Sequence, residues 1–157
     1  MIRPIGRFLV LFFVFTVLVE DVESITNFTI TGTLLCPHRF DYYTLLVEKD
    51  TKSGDDIFNT SQSPGNSPGT STTFKTFGQL SSDEVFDNDK FEVAIRVVHN
   101  CNTPVKPYRE YEMFIGDFPN KDTHYVKDIG QIQLHNLGKP TTAPIGKRRR
   151  PNNKKNF

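Results

Sequence analysis

Two short runs of the chain give the strongest indication of the fold: Ile30-Thr31-Gly32-Thr33-Leu34-Leu35-Cys36 and Ile95-Arg96-Val97-Val98-His99-Asn100-Cys101. Each run contains β-branched residues and ends in one of the chain's two cysteines. β-Branched side chains favour strands, because they pack well on a pleated surface. The runs therefore predict two strands that each end at a cysteine, and whether these cysteines pair depends on the compartment.

The N-terminus has the pattern of a secretory signal peptide. Arg3 and Arg7 precede an apolar stretch, residues 8–19, in which Thr16 is the one polar side chain. This stretch is shorter than the roughly 20 residues needed to cross a bilayer as a helix. We predict cleavage near Ser24, with an uncleaved signal anchor as the alternative, and we expect a mature protein that does not span a membrane.

Export predicts a disulfide and N-glycosylation. Cys36 and Cys101 should pair in an oxidising compartment, and two buried free thiols are the alternative. Asn27 and Asn59 each begin an Asn-X-Ser/Thr acceptor pattern. Asn59 is the better candidate, since it opens a polar, turn-rich stretch, residues 59–71, that we expect to be a long mobile surface loop.

The chain divides into three regions of different composition. Residues 1–24 form the predicted signal peptide. Residues 25–137 hold 10 Lys+Arg and 15 Asp+Glu, a net charge of −5, and are long enough for one domain with a hydrophobic core. Residues 138–157 hold 7 Lys+Arg and no acid, and they keep no hydrophobic periodicity. We therefore predict an acidic folded body followed by a disordered basic tail.

Alternating apolar residues predict strands along the body. In the segment from Phe91 to Val97 the odd positions are apolar, whereas Glu92 and Arg96 face the other way. Candidate strands lie at residues 25–36, 42–49, 72–77, 90–99, 109–114 and 129–134. No window keeps helical periodicity for long, although Ser81 can begin one short helical turn. The pattern predicts an all-β sandwich.

Motifs spread along this body resemble the nematode transthyretin-like family over about residues 28–135. They are Thr31-Gly32-Thr33-Leu34-Leu35-Cys36, Asp55-Asp56, Phe74, Gly78, Val98-His99-Asn100-Cys101, Lys106-Pro107 and Asp128-Ile129-Gly130. The resemblance implies a secreted transthyretin-like β-sandwich of seven or eight strands, with Cys36 bridged to Cys101. Many relatives carry a second cysteine pair, whereas here Tyr108 follows Pro107 and the tail has no cysteine. Residues 59–71 are also longer than the turn usual in that family.

Metal and cofactor sites are not predicted. His99 lies two residues before Cys101, but metal ligation or Cys/His catalysis would need a thiolate that the bridge removes. We interpret His99 as a structural histidine. The other histidines show no ligand spacing: His38, His124 and His135. The acidic pairs Asp55-Asp56 and Asp83-Glu84 lack the order of a calcium-binding EF-hand loop and are expected to be exposed loop charge.

An enzymatic function is not predicted either. The 5-hydroxyisourate hydrolases resemble this chain in architecture, but they end in Tyr-Arg-Gly-Ser, whereas this chain ends in Asn156-Phe157. The chain also lacks the Gly-x-Ser-x-Gly elbow of the α/β-hydrolases. We therefore expect no catalytic residues.

A cluster of positive charge marks the tail: Lys147, Arg148, Arg149, Arg150, Lys154 and Lys155. Such a run attracts anionic lipid headgroups and sulfated glycans, and export argues against nucleic acid as the partner. The leading hypothesis is a secreted, non-enzymatic binding protein that engages a cell-surface receptor or an anionic surface through its loops and tail. Alternatives are a purely solubilising tail, a carrier of a small hydrophobic ligand in a sandwich or oligomer cavity, and a precursor processed at residues 147–150.

Overall fold

The computed structural model describes residues 24–49, 54–59, 65–81, 90–102 and 108–142. These residues form nine strands in two sheets and no helix, which confirms the predicted all-β class. In chain order the strands are β1 (Ile25–Leu35), β2 (Phe40–Glu48), β3 (Asp56–Ile57), β4 (Gly65–Ser67), β5 (Ser71–Ser81), β6 (Lys90–His99), β7 (Tyr108–Pro119), β8 (Thr123–Gln133) and β9 (Lys139–Thr141). The predicted signal peptide, apart from Ser24, and the helical turn expected after Ser81 lie outside the described residues.

The smaller sheet, sheet A, has the strand order β5-β1-β8. β1 is its centre and runs antiparallel to β5 and parallel to β8. The larger sheet, sheet B, has the order β3-β2-β6-β7-β9, with β4 also paired to β2. All pairs in sheet B are antiparallel.

The main hydrophobic core lies between the two sheets and is built from inward-facing residues of the six longer strands, β1, β2, β5, β6, β7 and β8. β5 shows the pattern most clearly, since Phe74, Thr76 and Leu80 are buried while Lys75 and Phe77 are exposed. Phe28 of β1 is central to the aromatic packing. Its ring makes edge-on contacts at centroid distances of 5.3 to 6.3 Å with Phe58, Phe91 and Phe118.

β4 contradicts the prediction of an exposed loop for residues 59–71. Within the predicted mobile loop, β4 pairs with β2 and Ser67 is fully buried, its hydroxyl donating to the carbonyls of Gly69 and Ser71. The close pairing of β4 with β2 needs a glycine at position 65, because a Cβ there would overlap the ring of Tyr42. The expectation of a wholly exposed loop was therefore wrong for these residues, because backbone pairing and hydroxyl bonds replace apolar burial.

The start of the predicted tail also differs from expectation. β9 pairs with the beginning of β7, and Arg109 donates hydrogen bonds to the carbonyls of Leu137 and Gly138. Gly138 has a positive φ of 83°, and a Cβ there would meet the Glu110 carbonyl. Order therefore extends past residue 137 into the region predicted to be disordered.

Candidate binding surfaces

The Cys36–Cys101 disulfide joins the two sheets at one end of the sandwich. Cys36 follows β1, Cys101 follows β6, and both are buried with their Cα atoms 5.9 Å apart. The predicted bridge is confirmed. A His38 ring nitrogen lies within 4.8 Å of both sulfurs, but bridged sulfurs are not thiolates and this group is not a metal ligand set.

His99 lies beside this disulfide as the last residue of β6 and is fully buried. Its Nδ1 accepts a hydrogen bond from the backbone N–H of Cys101 at 3.1 Å. Burial lowers the pKa of His99 to about 4, the Leu137 backbone opposes this shift, and the positive charge of Arg109 adds to it. A neutral ring that accepts this hydrogen bond and holds the backbone next to the disulfide is consistent with the structural role predicted from the sequence.

The outward side of sheet A, which we call face A, is exposed and mixed in character. Three rows cross it from β5 through β1 to β8: Gln79, Asn27 and His124; Phe77, Thr29 and Val126; Lys75, Thr31 and Asp128. Phe77 is 42% exposed and Val126 is 69% exposed. Because Phe77 and Val126 both flank the buried Thr29, they form one apolar stripe across the sheet.

Polar contacts hold the side chains of face A in place. The Thr29 hydroxyl lies 2.7 Å from Nε2 of His124. The Lys75 ammonium lies over the Phe77 ring, 4.8 Å from its centroid, and Asp128 accepts a hydrogen bond from the Gly130 N–H. The apolar stripe is therefore bordered by a cation on β5 and a carboxylate on β8.

The outward side of sheet B, face B, carries a second apolar cluster that is already buried: Tyr43, Leu45, Val47, Ala94 and Val98, with Tyr108 packed against them. Arg96 lies within this face, its side chain 13% exposed. Its Nε and Nη2 donate to one Glu112 oxygen at 3.0 and 2.6 Å, and Nη2 also reaches Asp55 at 3.2 Å. Lys49 bridges Asp55 and Glu112 at 2.7 and 2.8 Å.

This ion-pair network shifts the acid–base equilibria of its members. Hydrogen bonds to Asp55 and Glu112 raise the pKa of Lys49. For Glu112, burial alone would raise the pKa, but the hydrogen bonds and charges of Lys49 and Arg96 outweigh it and lower the pKa. Both shifts favour the charged forms of Lys49 and Glu112 at neutral pH, so these two residues hold their ion pair on face B.

The two predicted glycosylation acceptors occupy unlike positions. Asn27 is half-buried on face A, on the central strand. Asn59 is 7% exposed and forms an isolated bridge to Gly78 of β5. The expectation that Asn59 is exposed was wrong, because the residue is drawn into the edge of sheet A. Glycan attachment at either position stays a prediction.

The remaining predicted charges divide between described and undescribed residues. Asp55 belongs to the ion-pair network and Asp56 is exposed in β3. Asp83 and Glu84 lie outside the described residues, as do all six basic residues of the tail, from Lys147 to Lys155. Among the described residues, no helix is long and apolar enough to cross a membrane.

Comparisons of this chain with protein-family models, with curated proteins and with solved structures find no match. The likeness to the transthyretin-like family therefore remains a resemblance carried by the motifs themselves.

Two features of the surfaces escaped sequence reasoning. The stripe of Phe77 and Val126 depends on both residues flanking Thr29. Arg96 gains its ion-pair partners from β7 and from the loop before β3. The sequence held one indication of the stripe. Phe77 is three residues after Phe74, so in a strand the two side chains point to opposite sides of the sheet, and a buried Phe74 places Phe77 outward. The partners on the neighbouring strands could not be read from any local pattern.

Proposed function

We propose that this chain is a secreted, non-enzymatic extracellular binding protein with a transthyretin-like sandwich, which engages an anionic surface through its basic tail. A cell-surface receptor contacted through the loops is the related possibility. The proposal is supported by the two-sheet architecture and by the buried disulfide, a bond typical of exported proteins. It is also supported by the motifs that resemble the family, two of which end at the bridged cysteines.

The observation that carries the proposal is the separation of charge along the chain. The body is acidic, and the structure pairs three of its cations with carboxylates: Lys49, Lys90 and Arg96. The tail carries only positive charge, six residues of it between positions 147 and 155. An anionic surface would therefore repel the body and attract the tail, which favours an orientation with the sandwich held away from the surface.

The test compares vesicles of phosphatidylserine and phosphatidylcholine, with heparin as a second probe. In the variant, Gln replaces each of the six basic residues of the tail, at positions 147–150, 154 and 155, so that the chain length is unchanged. Each cation contributes up to about 1 kcal/mol near an anionic membrane. If the six cations together contribute about half of that maximum, roughly 3 kcal/mol, their removal lowers the affinity for phosphatidylserine about a hundredfold at low salt. The salt dependence should fall with it.

Lys121→Gln with Lys127→Gln provides a matched control, because both lysines are exposed cations of the body. This variant should keep nearly full binding. Binding that is unchanged in the tail variant would remove the tail from the mechanism and leave receptor contact through the loops, which capture of surface proteins by the mature chain would test.

A further inference from the structure

Face A has opposite charges at its two edge strands, β5 and β8. The apolar stripe joins the same two edge strands one row further along. In its charged row, Lys75 lies on β5 and Asp128 on β8, with Thr31 between them. In its apolar row, Phe77 and Val126 occupy the same two edges. Both rows therefore place a complementary pair at positions related by the centre line of β1.

A two-fold axis parallel to β1, lying just above the face, exchanges the two edge strands. Because the axis follows the strand direction, each row keeps its position along the strands. A second copy placed by this axis sets its β8 above β5 of the first copy. Lys75 then meets Asp128 of the second copy, and Phe77 meets Val126 of the second copy. A two-fold axis across the strands, through the apolar row, would instead set Lys75 against Gln79 and Asp128 against His124 of the second copy. Phe77 and Val126 would then each meet their own counterparts, and the charge pairing would be lost.

We propose that face A is a self-complementary interface through which two copies of this chain associate, with their sheets packed face to face about this axis. The interface is isologous, so each Lys75–Asp128 contact occurs twice. Stacking of two twisted sheets in nearly aligned directions is a common mode of sheet packing. Face A and the basic tail are separate parts of the chain, so association through face A does not depend on binding through the tail.

The size of the face predicts a weak dimer. Three strands about 4.8 Å apart and 11 residues long, at roughly 3.4 Å per residue, span about 500 Å². Two copies would bury about 1,000 Å² in total, which is near the lower limit for specific interfaces. We therefore expect association that depends on concentration and is highest where the protein is concentrated, as on a surface.

The Asn27 acceptor lies on the central strand, close to the proposed axis. Packed sheets are about 10 Å apart, which leaves no room for an attached glycan between two copies. A glycan on Asn27 and a second copy on face A therefore exclude each other. Glycosylation at this position would hold the protein as a monomer.

Sedimentation equilibrium of the oxidised, unglycosylated chain from residue 25 tests the proposal between about 1 and about 500 µM. We expect a reversible monomer–dimer equilibrium. Val126→Asp places a charge against the apolar stripe and should weaken association at least about tenfold. Phe114→Asp is the matched control, because Phe114 is 58% exposed on face B, and it should leave the equilibrium unchanged.

A charge exchange tests the register of the interface. Lys75→Asp and Asp128→Lys each create two like-charge contacts in the dimer and should weaken it about tenfold, whereas the double variant should return to within about threefold of the wild type. Circular dichroism and an intact disulfide would show that each variant is folded. A double variant as weak as the single ones would overturn the proposed axis.

Three further outcomes would overturn the proposal. They are a wild-type chain that stays monomeric throughout the concentration range, a dimer that Phe114→Asp disrupts instead of Val126→Asp, and a chain that dimerises fully with a glycan on Asn27. The glycan measurement uses protein from a glycosylating host before and after enzymatic removal of the sugar. We expect dimerisation to appear only after removal when Asn27 is occupied.

Discussion

Protonation of His99 should make the fold sensitive to mild acid. The ring is fully buried, and burial lowers its pKa to about 4, whereas an unfolded histidine titrates at 6.5. Above pH 6.5 the ring is neutral in both states and contributes no pH dependence. As the pH falls from 6.5 towards 4, the unfolded chain binds a proton that the folded chain does not, so stability decreases. Below about pH 4 both states are protonated and the loss is complete.

The size of this loss follows from the two pKa values. A difference of about 2.5 units at 1.36 kcal/mol per unit corresponds to about 3 kcal/mol. This is a large fraction of the 5–15 kcal/mol by which domains of this kind are usually stable. His99 should therefore contribute strongly to any acid-induced loss of stability above pH 4.

Urea denaturation of the wild type and of His99→Asn at pH 7.5, 5.5 and 4.0 measures this effect. The Asn carboxamide oxygen can accept the Cys101 N–H in place of Nδ1, so the variant loses packing and the titrating group but keeps the acceptor. The wild type should lose about 3 kcal/mol more than the variant between pH 7.5 and 4.0. His135→Asn at an exposed position is the control and should keep the wild-type profile. Parallel pH profiles for the wild type and His99→Asn would show that His99 does not cause the acid sensitivity, as would an NMR titration of His99 near 6.5.

Three other substitutions test the framework around the surfaces. Replacing both Cys36 and Cys101 by Ala opens a loop of 65 positions and should lower stability by about 4 kcal/mol in chemical denaturation, and a loss below 1 kcal/mol would contradict the chain-entropy argument. Arg96→Met removes the guanidinium from Asp55 and Glu112 and leaves Lys49 as their partner. It should lower the free energy of unfolding by about 1–3 kcal/mol, and by less in 1 M salt. An equal loss of stability at both salt concentrations would exclude the ionic explanation. Gly138→Ala should free β9 from β7 and speed amide exchange at Lys139 and Thr141 without unfolding the sandwich. Unchanged exchange at both residues would show that the variant tolerates the positive φ.

The accuracy of the sequence-based strand assignments follows the strength of the local pattern. β6 was predicted with the bounds it has, because every odd position from Phe91 to Val97 is apolar and Glu92 and Arg96 mark the opposite face. β3, β4 and β9 were missed. They are two or three residues long and mostly polar, and their backbones are ordered by pairing to a longer strand. No periodicity can be read from so few residues.

The candidate surfaces could be predicted only in part. The disulfide was inferred because two cysteines in an oxidising environment have one pairing available. Face A was not inferred, because its stripe depends on β1 pairing in register with β5 on one side and with β8 on the other. The buried position of Asn59 was also missed, since its isolated bridge to Gly78 depends on a residue far along the chain.

The all-β class and the bond between Cys36 and Cys101 could be inferred without the structure, because alternation and cysteine number depend on short-range pattern and composition. Which side chains share a surface, in contrast, depends on the pairing of strands that are distant in the chain. Lys75 and Asp128 lie at opposite edges of one face, and Arg96 sits among three carboxylates, because strands distant in sequence pair in one register. A slip of one residue would turn every side chain of a strand to the other face, and that register is set by packing of the whole core.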